Sequence, residues 1–286
     1  MPQMHADELP IGDGLVRSLV DAQFPEWAEL PLERVEPSGT DNAIFRLGDE
    51  LAVRLPRREG STYPGDKEHD WLPRLAPALS FEIPLPVAHG RPGPGYPWHW
   101  SIVRWLEGVT PLGLYVDAHE LATLVRELHA IDPTGAPMPG VGRGEPLVAR
   151  DEPTRRAIEH LDIPGGSELW RRAVTAPEWS RERVWLHADL DARNVLVREG
   201  RLTGVIDWGC LGVGDPAVDI MVAWKLLDEP GRTRFRDLLD VDEHTWLRAQ
   251  GWALSQAAIA LDYYTLETYP VIVHEARRWL AELSSG

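Results

Sequence analysis

The spacing of hydrophobic positions separates a first part of the chain, rich in short strands, from a second part rich in helices. Short apolar or alternating segments divided by turn clusters are typical of β-strands. Such segments lie at residues 32–37, 43–47, 51–56, 81–88 and 98–106. After residue 117, apolar side chains recur every three or four positions, as at Leu121, Leu124 and Leu128, which indicates an amphipathic helix. Further helices are predicted at 152–161, 220–227, 231–239, 244–264 and 270–283.

A stretch rich in acids, amides and glycines lies at residues 185–219. Short apolar runs on both sides of a turn at Glu199 predict a β-hairpin, whose open end presents Asp189, Asn194 and Asp207 together. Two acids and an amide suit phosphoryl transfer, in which the protein mainly positions groups and neutralises charge. Asp189 is predicted to accept the proton of an attacking hydroxyl, while Asn194 and Asp207 are predicted to bind Mg²⁺.

The spacing of these residues matches the signature of kinases. His187-Ala188-Asp189, then Asn194 after four intervening residues, then Asp207-Trp208-Gly209 stand where protein kinases have H-R-D, N and D-F-G. Gly214-Asp215-Pro216 and Asp219 follow shortly afterwards. On these motifs the chain resembles the aminoglycoside phosphotransferase family, which are small-molecule kinases with a protein-kinase-like fold. The resemblance spans most of the chain and is strongest from 185 to 219.

This resemblance implies an α+β, protein-kinase-like fold with two lobes. Residues 1–106 are expected to form an N-terminal nucleotide-binding lobe, with an antiparallel sheet and a helix. Residues 107–286 are expected to form a mostly helical, catalytic and substrate-binding lobe. A hinge is expected at about residues 104–108, where Trp105 and Leu106 would meet the purine of ATP or GTP, held with Mg²⁺ between the lobes.

The predicted N-terminal lobe contains candidate nucleotide contacts. Backbone N–H groups and the side chains of Ser38, Thr40 and Asn42 form a small polar turn that suits phosphate, although an ordinary hairpin turn is the alternative. Arg54 stands where the V-A-I-K pattern has its lysine, and a guanidinium can bind phosphate with two donors. Glu68 is its expected ion-pair partner. The alternatives are a surface arginine and a solvated glutamate.

Several other residues near the motif are predicted to support the structure. His187 is expected to brace the loop, and Asp219 to start a helix or to anchor the catalytic loop. Asp191 and Arg193 are expected to be solvated or to brace the backbone. Cys210 is expected to be a small buried hydrophobe, since a single cysteine forms neither an internal disulfide nor a thiolate metal cage.

Composition and charge exclude some functions. The net charge of −16 argues against a nucleic-acid partner, which would favour a basic face. An acidic surface either attracts a cationic acceptor or serves solubility. The acids that are candidates for binding amines, or for a solvated face, are Asp117, Glu120, Glu159, Asp262, Glu267 and Glu275. No apolar run is long enough to cross a bilayer and residues 1–10 lack a signal pattern, so a cytoplasmic protein without membrane contact is expected.

The interval between Asp207 and Asp219 is too short for the ordered activation segment of a peptide kinase. The acceptor is therefore expected to be a small molecule with a hydroxyl, first of all an aminoglycoside or a similar antibiotic. Other acceptors stay open: a macrolide, a nucleoside antibiotic, an amino alcohol or a sugar. A catalytically inactive nucleotide-binding module is the remaining alternative, because Arg54 and the polar turn depart from the kinase pattern.

Overall fold

The computed structural model of the chain describes residues 8–36, 41–59, 64–140 and 142–284. The chain divides into two compact units. Unit 1 comprises Met1–Pro77 and Glu82–Glu107, and unit 2 comprises Ala78–Phe81 and Gly108–Gly286. The assignment of nucleotide binding to residues 1–106 and of catalysis to residues 107–286 stays a prediction.

Unit 1 is built on an antiparallel sheet, to which the described chain contributes five strands. They are β1 (Leu32–Arg34), β2 (Asn42–Leu47), β3 (Leu51–Pro56), β4 (Pro86–Gly90) and β5 (Trp100–Arg104), in the spatial order β1-β2-β3-β5-β4. Successive side chains of a strand point to opposite faces. In β2 this alternation buries Ala43, Phe45 and Leu47, while the residues between them stay partly exposed.

Two helices accompany this sheet: α1 (Asp13–Gln23) and α2 (Pro64–Leu75). Val16, Leu19 and Val20 of α1 enter the same buried cluster as Phe45 and Ile102 of the sheet, because their spacing places them on one face of the helix. From the sequence, Pro73 is expected to make the second helix short or kinked. The helix contains this proline and ends two residues after it, at Leu75.

Unit 2 is mostly helical, as predicted. In the described chain its helices are α3 (Ala118–His129), α4 (Asp151–His160), α5 (Gly166–Thr175), α6 (Ala217–Ile220), α7 (Ala223–Leu226), α8 (Glu229–Leu239), α9 (Glu243–Tyr263) and α10 (Pro270–Ser284). The long helix α9 is buried over much of its length and packs against α4, α5, α6 and α10. None of the described helices combines the length and the hydropathy needed to cross a membrane.

The single helix predicted at 220–227 is wrong, because this segment contains the end of α6 and the separate helix α7. Between them, the N–H groups of Val222 and Trp224 donate to the carbonyls of Asp219 and Met221, three residues earlier in each case. Such bonds tighten the chain into a 3₁₀ turn. Both faces of this segment are buried, so hydrophobic spacing alone does not locate the break.

Two strand pairs complete unit 2 in the described chain. The strand β6 (Val184–Leu186) pairs with β9 (Gly212–Gly214), and β7 (Val195–Arg198) pairs with β8 (Arg201–Val205), both antiparallel. Glu199 and Gly200 connect the second pair, with φ of 54° and 76°. Two consecutive residues with positive φ make the tight hairpin turn that matches the twist of the strands. The predicted hairpin is confirmed.

Candidate active site

Asp189 and Asn194 lie on the loop between β6 and β7 and contact each other. The Asn194 side-chain Nδ2 donates to the Asp189 carbonyl at 2.8 Å and lies 3.4 Å from the carboxylate Oδ2. Asn194 is 5% exposed, so this contact holds its amide in one orientation. The amide oxygen then points away from the bonded nitrogen and stays available as a ligand.

Asp207 follows directly after the β7–β8 hairpin. At the open end of the hairpin, the Ile206 N–H donates to the Asn194 carbonyl at 2.9 Å, so the next residue emerges beside Asn194. The Asp207 side chain is exposed, and its φ of 62° lies in the left-handed region. Aspartate tolerates this conformation better than most residues. The hairpin thus brings the two predicted metal ligands close along the backbone.

His187 braces this arrangement. Its Nδ1 accepts a hydrogen bond from the Asp189 N–H at 3.2 Å, so Nε2 carries the proton and donates to the Ile206 carbonyl at 2.9 Å. The ring is fully buried and meets the edge of Trp208, with 4.7 Å between centroids. Both ring nitrogens are therefore used inside the protein. The structural role predicted for His187 is confirmed.

Asp219 anchors the catalytic loop. Its two carboxylate oxygens accept the N–H groups of His187 at 3.0 Å and of Ala188 at 2.8 Å. The side chain is fully buried, and His129 Nε2 lies 3.5 Å from Oδ2. Ala188 has a φ of 69°, a conformation that costs a non-glycine residue about 1–2 kcal/mol. The buried carboxylate fixes the backbone in this unfavourable region, which confirms the anchor prediction.

Asp191 and Arg193 form an internal pair. Asp191 is fully buried, and it accepts from Arg193 Nε at 3.0 Å and from the Arg193 N–H at 2.8 Å. Burial by itself lowers the pKa of Arg193, but the Asp191 carboxylate outweighs it and raises that pKa well above the ordinary value. The prediction of a backbone brace is confirmed, and the alternative of solvated residues is wrong for Asp191.

Arg143 is a site residue that the sequence did not predict. It lies in the proline- and glycine-rich loop at residues 136–146, and its NH2 is 3.2 Å from Asp189 Oδ1. The two side chains are 14% and 24% exposed, so the contact is largely shielded from water. Since the partners are 46 positions apart, no local spacing identifies them. From the sequence, Arg143 is recognisable only as a basic residue in a loop rich in proline and glycine.

The loop that carries Arg143 is bound to the residues after Asp207. The Val213 N–H donates to the Pro137 carbonyl at 2.9 Å, and the Gly140 N–H to the Cys210 carbonyl at 3.4 Å. At Gly212, an added Cβ would lie only 2.3 Å from the backbone nitrogen of Pro139. Only glycine allows this approach. Cys210, predicted to be buried, is half-buried beside the loop.

The charges around Asp189 keep it ionised. Burial by itself raises the pKa of Asp189, but Arg143, followed by Arg193 and Lys225, outweighs burial and brings this pKa to about 2. The carboxylate is therefore a hydrogen-bond acceptor throughout the neutral range. That protonation state is the one a general base needs before it takes up a proton.

In unit 1, Arg54 and Glu68 form the ion pair that the sequence predicts. Arg54 NH1 is 2.5 Å from Glu68 Oε2, and NH2 is 3.2 Å from Oε1, so both carboxylate oxygens are used. The side chains are 11% and 6% exposed. A parallel pair of donors of this kind fixes the guanidinium plane. The alternative of a solvated glutamate is wrong.

The other predicted nucleotide contacts are less fully described. Ser38 and Thr40 lie outside the described residues. Asn42 begins β2 and is half-buried opposite Pro56. The Trp105 N–H donates to the Glu50 carbonyl at 2.8 Å, and Leu106 is half-buried. The nucleotide-binding role of each of these residues stays a prediction.

Of the six acids that are candidates for binding amines, four already have hydrogen-bond or ion-pair partners within the chain. They are Asp117, Glu120, Asp262 and Glu275, whose partners are the N-terminus of α3, Arg201, His160 and Arg278. The two others, Glu159 and Glu267, are exposed. A group that already pairs with a cation or caps a helix has less to offer a positively charged ligand.

Comparison with known proteins places this chain in a family. A model of the phosphotransferase enzyme family (APH) matches residues 33–254, which is most of the chain. The chain belongs to this family. An aminoglycoside 3'-phosphotransferase of Escherichia coli is 25% identical over 220 residues, which cover 71% of this chain and 78% of the relative. Family membership supports small-molecule phosphotransferase activity.

Solved structures share the fold. The GDP complex of wild-type aminoglycoside 2'-phosphotransferase-IIIa superposes with a TM-score of 0.73 at 18% identity, covering 95% of this chain and 99% of the other. Macrolide 2'-phosphotransferase MphH from Brachybacterium faecium gives a TM-score of 0.62 at 23% identity, covering 93% and 98%. The predicted family and its α+β, protein-kinase-like fold are confirmed.

The donor set of this family member fits magnesium. Asn194 and Asp207 offer an amide and a carboxylate oxygen, which are hard ligands, and Mg²⁺ usually takes one or two protein ligands together with phosphate oxygens and water. Within the described ranges, no group of three or more His, Cys, Asp or Glu side chains forms a larger metal site. The orientation of the Asn194 amide, fixed through its nitrogen, leaves its oxygen for the ion.

Lys225 is a buried cation behind the site. It lies in α7, is fully buried, and donates to Gln256 Oε1 at 2.6 Å, with its Nζ 4.5 Å from the Trp279 ring centroid. Burial lowers the pKa of Lys225 to about 8, although Asp191 and Asp189 act in the opposite direction. The lysine therefore loses its proton more easily in the folded protein than in the unfolded chain.

We expect this lysine to make stability increase with pH. Between about pH 8 and 10.5 the unfolded chain binds more protons at Lys225 than the folded protein, so the free energy of unfolding rises with pH. The full rise is about 3 kcal/mol at 1.36 kcal/mol per pKa unit. Urea unfolding at several pH values should show this rise in the wild type but not in Lys225→Met. Parallel pH profiles of the two proteins would contradict the assignment.

Proposed function

We propose that the chain transfers the γ-phosphoryl group of a nucleoside triphosphate, ATP or GTP, to a hydroxyl of a small molecule in an Mg²⁺-dependent reaction. The observation that carries this proposal is the contact between Asp189 and Asn194 at the open end of the hairpin that leads into Asp207. This arrangement supports the proposal, because phosphoryl transfer needs a carboxylate near the oxygen ligands of the metal ion.

Each of these three residues has a separate role in the proposed reaction. Asp189, ionised at neutral pH, accepts the hydrogen bond of the acceptor hydroxyl and takes its proton as the new bond to phosphorus forms. Asn194 and Asp207 would hold the metal ion. When bound, Mg²⁺ neutralises charge on the phosphate oxygens. His187 and Asp219 keep the loop in place through buried hydrogen bonds.

The residues of unit 1 are proposed to bind the nucleotide. Arg54, whose guanidinium plane is fixed by Glu68, is a permanent cation that suits phosphate. The remaining proposed contacts are Ser38, Thr40 and Asn42 for the phosphates, and Trp105 and Leu106 for the purine. A solved family member with GDP bound supports a nucleotide partner for this fold.

The acceptor is proposed to be a hydroxylated small molecule. Relatives named for aminoglycosides and for macrolides make these two antibiotic classes the first compounds to test. An aminoglycoside is polycationic, so it requires negative groups near the reacting hydroxyl. The sign of the charges around Asp189 therefore helps to determine which acceptors the protein binds.

A nucleotide-consumption screen tests the proposed function. We expect ATP or GTP to be consumed with at least one hydroxylated compound, which gains the mass of one phosphoryl group, and we expect chelation of Mg²⁺ to stop the reaction. Asp207→Asn should lower turnover by a factor of about 100 or more, because an amide oxygen is a weaker ligand and leaves more charge on the phosphates.

The matched control is Asp240→Asn. Asp240 is also exposed and also has a positive φ, of 49°, but it lies at the C-terminal end of α8. This control should retain wild-type turnover. Binding of Mg–nucleotide without turnover on any acceptor would instead support an inactive nucleotide-binding module.

A further inference from the structure

The surroundings of Asp189 are positively charged. Arg143 contacts its carboxylate at 3.2 Å, and Arg193 and the buried Lys225 add their fields to that of Arg143. Of these, Arg193 is neutralised by Asp191 at 2.5 Å. Lys225 has Gln256, an uncharged side chain, as its hydrogen-bond acceptor. Apart from Asp189 itself, Arg143 and Lys225 therefore have no carboxylate partner within 4 Å in the described chain.

Arg143 keeps binding capacity in spite of its contact with Asp189. That contact uses NH2 only, and Asp189 is the single carboxylate within 4 Å of Arg143 in the described chain. The Arg143 Nε is buried, and among the described atoms it has no hydrogen-bond acceptor. The contact with Asp189 does not use NH1, and this terminal donor is the one offered to a ligand.

Arg150 is a second arginine whose guanidinium has no carboxylate partner in the described chain. Its side chain lies over the Trp252 ring, 5.4 Å from the centroid, and its Nε donates to the Ser255 hydroxyl at 2.8 Å. Over the ranges that the structure covers, no carboxylate lies within 4 Å of it. Burial, and then the charge of Arg143, lower the pKa of Arg150 to about 10, so it remains a cation at neutral pH.

A polycationic acceptor fits this environment poorly. It would bring like charge toward Arg143, and like charges that face each other in an interface weaken binding. Of the acids that are candidates for binding amines, Glu120 already pairs with Arg201 and Asp262 with His160.

We infer that the acceptor carries an anionic group, a carboxylate or a phosphate, which Arg143 binds next to Asp189. The inference rests on the proposed phosphotransfer function and narrows its acceptor. A guanidinium binds either anion with two donors, and such a pair fixes direction as well as distance. Because Arg143 lies within hydrogen-bond reach of Asp189, a neighbouring hydroxyl of the same acceptor is held beside the base.

The test uses acceptors that differ only in charge. The wild-type protein is assayed with glucose, glucosamine, glucuronate and glucose 6-phosphate, and with glycerol, serinol, glycerate and glycerol 3-phosphate. Kanamycin serves as the polycation. We expect an anionic member of a set to have a kcat/KM at least about tenfold higher than its neutral and cationic counterparts. Comparison of the acid with the phosphate ester shows which anion is bound.

A substitution then links this preference to Arg143. In Arg143→Gln, the ratio of kcat/KM for anionic over neutral acceptors should fall about 10- to 100-fold, mainly through KM for the anion. Arg143→Lys should restore part of the ratio, since it keeps the charge but not the planar fork. The control is Arg172→Gln, which removes an exposed arginine of α5 and should leave the ratio unchanged.

Each outcome decides between distinct explanations. Preference of the wild type for neutral or cationic acceptors overturns the inference and leaves the phosphotransfer proposal standing. An equal loss on all acceptors in Arg143→Gln assigns this residue a structural role and also overturns the inference. Calorimetric binding of Mg–nucleotide with no turnover on any acceptor overturns the proposed function, and the inference with it. The wild-type comparison holds even if the variant fails to fold.

Discussion

Replacement of Asp189 by asparagine is expected to lower kcat by a factor of about 10²–10⁴, the usual contribution of a positioned general base. An amide has nearly the same shape as the carboxylate but takes up no proton under these conditions. The Asn194 side chain bonds the backbone carbonyl of Asp189 at 2.8 Å, and this contact survives the substitution. The loss should therefore appear in kcat, with KM for the nucleotide nearly unchanged.

The measurement is steady-state turnover with the acceptor that the screen identifies, together with a thermal unfolding curve. Asp237→Asn, an exposed aspartate of α8, is the control and should behave as the wild type. If Asp189→Asn retains more than about a tenth of the wild-type kcat, another group takes the proton, and the role given to Asp189 is wrong.

Replacement of Asp219 by asparagine is expected to damage both stability and turnover. Both oxygens of this fully buried carboxylate accept backbone N–H groups, those of His187 and Ala188. An amide nitrogen in place of one oxygen sets a donor against a donor, which costs about 2–4 kcal/mol when buried. Since Ala188 is held at a φ of 69°, its backbone is then free to relax. Displacing the adjacent Asp189 by about 1 Å lowers the rate roughly 100-fold.

Chemical unfolding and kcat should be measured on the same preparation. The matched control is Asp117→Asn, because Asp117 also accepts two backbone N–H groups, but at an exposed helix N-terminus. Asparagine caps a helix about as well as aspartate, so we expect a change below about 0.5 kcal/mol. Equal effects of the two substitutions would show that Asp219 is an ordinary cap and not the anchor of the loop.

The sequence predicted the hairpin and the order of its polar residues because both depend on local spacing. The turn at Glu199 and Gly200 has positive φ, and the short apolar runs on both sides of it pair, with one register shift between Leu196 and Val197. That geometry by itself brings Asn194 next to Ile206 and hence Asp207. The Arg54–Glu68 ion pair could likewise be predicted from the sequence, since the position of each partner follows from a known pattern.

Contacts that form only through tertiary packing could not be predicted from the sequence. Arg143 comes from a loop without periodicity, and nothing in its neighbours indicates contact with a carboxylate 46 positions away. For Asp191 the sequence left a solvated residue and a backbone brace open, and the fold buries it completely against Arg193. In both cases, hydrophobic spacing reports the burial of apolar side chains and is silent about charged pairs.

The close approach of Pro139 to Gly212 holds the loop that carries Arg143 against the segment that follows Asp207. Backbone hydrogen bonds from Val213 to Pro137 and from Gly140 to Cys210 hold the same two segments together. Substitution of surface side chains in the loop leaves these backbone contacts in place. Under the proposed roles, a change of acceptor therefore requires a change at Arg143 itself and leaves the position of the loop unaltered.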